Sequence, residues 1–173
     1  MRPSRIRFPV ATCLTLAVHS MSALAQEARE SCEPDEQQRE LLELVNEARR
    51  EARQCGDEAF EATEPLRWNC QLAEAAETHS RDMAENAYFS HTDEEQQGAA
   101  ARVDATGYPW RRVGENIAAG QPDAASVVEG WLDSPGHCAN LMNDAFTEMG
   151  AASVEASESK YSPFWTQVLA RPR

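Results

Sequence analysis

The chain has 173 residues, 42% of them hydrophobic, with 16 basic side chains against 29 acidic ones and a formal charge of −13. That is enough apolar material for one core of ordinary size. A surface of this sign repels nucleic acid and gains nothing from anionic lipid headgroups, so nucleic acid is excluded as a partner and cationic or neutral partners remain.

Arg2, Arg5 and Arg7 precede an apolar run from about Phe8 to Val18, and small residues follow at Ala23 and Ala25. This order reads as a secretory signal over residues 1–25, cut before Gln26. A lipid anchor on Cys13 is the rival, although Thr12 stands where a smaller residue is usual. The run is shorter than the roughly 20 residues a bilayer crossing needs, so no integral membrane segment is expected in the mature form. The expected location is exported, either periplasmic or extracellular. Four cysteines then remain: Cys32, Cys55, Cys70 and Cys138. An even count in an exported chain suggests two disulfides with three connectivities open. Cys55 to Cys70 would close a short loop, leaving Cys32 to Cys138. A Cys–His metal cluster is the other reading, but the spacing has no tight C-x-x-C pair.

Residues 26–37 form a polar lead. In EQQRELLELVNEARREARQ, Leu41, Leu44, Val45 and Ala48 mark one helical face that Gly56 ends. CGDEAFEATEP reads as an exposed loop, and LRWN as a short extended piece with Leu66 and Trp68 on the same side. A second helix covers CQLAEAAETHSRDMAENAYF, whose period places His79 on the stripe of Leu72, Ala76 and Met83. A short third helix is predicted over Gln97 to Thr106, and VGENIAAG as loop or short strand. PDAASVVEGWLDS reads as a helix with Pro122 in its first turn and Val127, Val128 and Trp131 facing inward. PGH breaks it before a helical turn at CANLMN. MGAASVEAS has strand character, and FWTQVLA alternates so that both of its faces could be covered. Helices first and strands last imply an α+β fold, a small sheet layered under helices.

Three histidines beyond the signal, His79, His91 and His137, fall among small, aromatic or turn residues, and Glu115 lies between Gly114 and Asn116 in GENI, away from the charged runs. Imidazoles with a carboxylate can hold a metal such as zinc or move protons. Each also has a plain structural reading: His91 in a turn after a helix, Glu115 bonding backbone N–H groups, His137 bracing a turn, and His79 buried against a carbonyl or carboxylate. No H-E-x-x-H motif is present, so a site would have to assemble from distant segments. Neither Ser90 nor Ser134 sits in G-x-S-x-G.

Taken in order, LLELVNEAR, LRWNCQLAEAAETHSRDMAENAYFSH, GENIAAG, VVEGWLDSPGHCANLM and FWTQVLA resemble the bacterial branch of the CAP superfamily, also called SCP-like domains. The resemblance spans residues 38–170 as one domain. It implies a three-layer α-β-α sandwich around a small antiparallel sheet, with a cleft that in animal and plant members carries two histidines and two glutamates able to hold zinc or another divalent ion. His91 and Glu115 match the first histidine and the first glutamate. Ser134 and Phe164 stand where the other two would be, and His137 is expected to serve in the same cleft, with His79 on its core side. The cleft set implied is therefore His91, Glu115, His137 and His79, with His91, Glu115 and His137 as the metal set and as the candidate catalytic residues. The function implied is a cleft-based module for a lipid, peptide or cell-wall ligand. A hydrolase of peptide or glycan and a purely structural envelope protein are the alternatives.

Overall fold

Asp35 opens the first helix: its carboxylate accepts from the Gln38 backbone N–H while the Gln38 side chain accepts from the Asp35 N–H. Helix α1 runs Glu36–Arg49 and buries Leu41, Val45 and Ala48 on the expected stripe. The computed structural model describes residues 33–157 and 159–173. The proposed signal at 1–25, most of the polar lead and Cys32 lie outside the described residues.

The segment expected as an exposed loop instead holds a small antiparallel hairpin, β1 (Arg53–Cys55) and β2 (Glu58–Phe60), turned at Gly56 with φ +62°. Strand β3 (Arg67–Trp68) follows, then helix α2 (Cys70–Asn86), capped by the Asn69 side chain on two backbone N–H groups. The short helix α3 covers Ala99–Ala105. GENIAA, residues 114–119, belongs to a full ten-residue strand, β4 (Trp110–Ala119). Helix α4 (Ala124–Asp133) begins after its Asp123 cap, so Pro122 precedes the helix rather than sitting in it, and α5 (Pro135–Met142) carries proline in its first turn. Strands β5 (Glu148–Val154) and β6 (Phe164–Pro172) complete the chain.

The main sheet has the order β3-β5-β6-β4. It is mixed rather than purely antiparallel: β3 runs parallel to β5, while β5–β6 and β6–β4 are antiparallel. Alternation along β6 assigns its faces. Trp165 and Leu169 join the core with Leu41 and Val45 of α1 and Val127 and Trp131 of α4, whereas Val168 and Ala170 pack with Leu72 and Ala76 of α2. The sheet is thus covered on both sides, the α-β-α sandwich expected. The backbone of α2 comes so close to β5 that a Cβ on Gly150 would lie 2.0 Å from the Ala73 nitrogen. Only glycine fits there.

The expected disulfide pairing is corrected by the structure. Cys55 bonds Cys138, with the Cα atoms 5.5 Å apart, joining the hairpin to α5. The short Cys55–Cys70 loop does not form, because the hairpin turns back over α5, while Cys70 heads α2 beyond β3. Cys70 is itself disulfide-bonded.

Candidate functional site

β4 is an edge strand, and two adjacent residues near its middle point to opposite faces. Glu115 faces the α2 side and Asn116 the α4–α5 side. The Glu115 side chain is 4% exposed. A lone carboxylate would not stay charged there, and this one is clamped. His91, in the turn after α2, places Nδ1 2.8 Å from Oε1. Arg102, on α3, donates from Nη2 to Oε2 at 2.7 Å. The same guanidinium donates to the carbonyls of Gln97 and His91 at 3.0 and 3.1 Å. His79 lies beneath. It is fully buried, its Nε2 donates to the Ser90 carbonyl at 2.9 Å, and that nitrogen is 3.9 Å from Glu115 Oε1. His79 therefore supports the site from the core side, as its apolar stripe indicates, and does not face the cleft.

The environments push the three imidazoles apart. The hydrogen bond to Glu115 raises His91 above the ordinary histidine value. Burial holds His79 below it, and burial with the nearby charge of His91 holds His137 below it. His137, half-buried on α5, lies near enough to His91 to feel its charge but makes no direct bond to Glu115. The structure joins His91, Glu115 and His79 into one cluster and sets His137 at its margin.

On the other face, Asn116 donates to the Gln167 side chain at 3.0 Å and accepts from Asn140 of α5 at 2.9 Å. Asn140 also donates to the Glu115 carbonyl at 3.1 Å, and Trp131 Nε1 to the Ile117 carbonyl at 3.2 Å. These bonds occupy carbonyls on the free edge of β4, where an added strand would otherwise pair.

A groove of about 600 Å³ runs beside that edge, lined among others by Phe89, Ile117, Trp131, Ser134, His137 and Tyr161. Phe89 and Tyr161 are 53% and 55% exposed. His137 and Phe89, two residues before His91, link the groove to the imidazole–carboxylate cluster. Trp131 is core for most of its surface, and Trp110 is tied to Asp104 through its indole N–H.

The metal that the resemblance implies does not fit these donors. Both Glu115 oxygens are engaged, one of them by a guanidinium. A dipositive ion about 6 Å from that charge would be repelled by on the order of 5 kcal/mol at an effective dielectric of 20. His91 turns Nδ1 to Glu115, so its other nitrogen points away from the carboxylate and the two cannot converge on one ion. Phe164 is buried in the core, and among the described residues no group of three or more His, Cys, Asp or Glu side chains is arranged to hold a metal. Arg102 carries no sequence signal of its own; in sequence it is one more charge on a short helix.

A helix-covered four-stranded sheet with a histidine–glutamate cluster on its edge strand defines an SCP-like domain. The family model of the cysteine-rich secretory proteins (CAP) matches residues 42–169, and the chain belongs to that family. YlbC of Bacillus subtilis (strain 168), described as an uncharacterized membrane protein, is 40% identical over 85 residues, which are 49% of this chain and 25% of that protein. An extracellular protein containing an SCP domain from Bacillus anthracis str. Ames has a similar structure, with TM-score 0.56 and 36% identity over 63% of this chain and 34% of that one. An outer surface protein of Borrelia burgdorferi shares the fold, with TM-score 0.61 over 92% of this chain and 97% of that one at 16% identity. The chain spans well under two thirds of either Bacillus protein. Among the described residues no helix is long and apolar enough to cross a membrane.

Proposed function

We propose that this CAP domain is an exported binding module whose cleft takes an apolar group in the groove along β4, next to the His91–Glu115 cluster. The observation that carries this reading is the groove itself: partly exposed aromatic rings, Phe89 and Tyr161, stand over an apolar wall of Ile117 and Trp131. Its size falls in the range of small-molecule sites. Export is supported by the likeness to an extracellular Bacillus protein, by the buried disulfide and by the signal-like residues 1–25. Mature protein would begin at Gln26.

A hydrolase is the weaker reading. Both Glu115 oxygens are already held, one by His91 and one by Arg102. The imidazoles of His91 and His137 would have to act. The groove reading is tested by titrating residues 26–173 with an uncharged apolar dye. One dye per chain is expected. Ser134→Trp, which fills the groove from a partly exposed position, should abolish binding without lowering the melting temperature. Dye binding unchanged in that variant would refute the site.

A further inference from the structure

A second groove, of about 550 Å³, lies on another face of α4, between it and α1. Leu44 and Ala48 of α1 and Val128 and Leu132 of α4 form an apolar floor, and the two leucines are only partly buried at the edge of the core. Four carboxylates rim it, Glu47 and Glu51 on the α1 side and Glu129 and Asp133 on the α4 side. Among the described residues none of the four is in an ion pair. Arg50 and Arg53 also line the groove without pairing with them, so two guanidiniums stand against four carboxylates. The acids on α4 are placed against the preference of their own helix. Glu129 and Asp133, four residues apart, repel each other on one face. Asp133 ends the helix, where the macrodipole disfavours an anion, and no basic residue occupies that turn. Charges held against local preference point to a role other than folding.

We infer that this groove docks a basic amphipathic helix of a partner protein, with apolar side chains on the Leu44–Leu132 floor and Lys or Arg heads on the four carboxylates. A helix suits it because both long walls are helices with their backbone bonds spent internally, which leaves an extended peptide no ladder to join. A second copy of this chain is not the occupant, since at −13 it is repelled. The surface is independent of the groove along β4.

The probe is a synthetic helix of about 18 residues with leucine on one face and lysine on the other, fluorescently labelled and titrated into the protein at low salt. Its control is a peptide of the same composition whose order gives no stripe. The helix should bind about 10-fold more tightly than the control, because it alone brings a continuous apolar stripe to the floor. Glu129→Lys/Asp133→Lys should weaken it about 10-fold or more, as two surface ion pairs become repulsions, without lowering the melting temperature. Glu94→Lys/Glu95→Lys, the same change of charge on the exposed turn after His91, should weaken it less than about 3-fold. Equal binding of the two peptides, equal losses in the two variants, or a lower melting temperature for Glu129→Lys/Asp133→Lys would each overturn the inference. So would the absence of measurable binding by the helix.

Discussion

Glu115 and Asn116 are neighbours on one strand, both buried, and each is satisfied in a different way. Asn116 sits in a closed set of amides, with Gln167 and Asn140 meeting its donor and acceptor. This set, with a further bond from Asn116 to the His137 carbonyl at 3.3 Å, fixes α5 against the sheet. Glu115 sits in an open set: charge on both oxygens, a buried imidazole below, and one imidazole that reaches solvent. The contrast shows two uses of one edge strand. The Glu115 network reaches solvent through His91, while the Asn116 network holds α5, whose His137 lines the groove, against the strand.

The contrast is tested most severely at Glu115. Glu115→Gln leaves Arg102 as a buried charge without its partner and should cost about 3–5 kcal/mol in urea unfolding. A loss under about 1 kcal/mol would mean that the clamp adds little. Asn116→Ala removes only neutral bonds, leaving the amides of Gln167 and Asn140 short of a partner, and should cost about 1–3 kcal/mol. A larger loss than at Glu115 would reverse the order of the two faces.

A gentler probe is pH. The folded His91 is raised, so its contribution to stability is fully present below the ordinary histidine value and is lost as pH rises through the folded value. The gap in stability between the wild type and His91→Ala should therefore widen on acidification. His79 is lowered by burial, so it has the opposite sign: acid favours the unfolded chain, and His79→Gln should lose less stability below neutrality than the wild type. Chemical denaturation at mildly acidic and alkaline pH reads both. A gap for His91→Ala that narrows on acidification would contradict the bond to Glu115.

Much of this molecule is legible in its sequence. The stripe of Leu41, Val45 and Ala48 gives α1, and the alternation around Phe164 to Leu169 gives a strand buried on both faces, because burial imposes a period on apolar residues. His79 stands on the stripe of α2 and is buried there. The hairpin at Arg53–Phe60 escapes because three-residue strands carry too few residues for a period to emerge, and the full length of β4, legible only as loop or short strand, because its glycine and alanines lack strand propensity until β6 pairs with them. The disulfide escapes because separation along the chain says little about proximity in space. Arg102 escapes for a related reason: a buried ion pair becomes visible only when both partners have been placed. His91 and Glu115 stand out by resemblance and by residue type, while the contact between them is a fact of the fold.

The link between Cys55 and Cys138 spans 83 positions. The ring so formed carries α2, the His91 turn, α3, β4 and α4, so nearly the whole cluster and most of the groove wall lie inside a covalent loop. One peptide cut anywhere within that ring, including the exposed turn after His91, would leave the pieces joined and the chain in one molecule. That tether lets a copy nicked by a protease stay covalently joined until the Cys55–Cys138 bond is reduced.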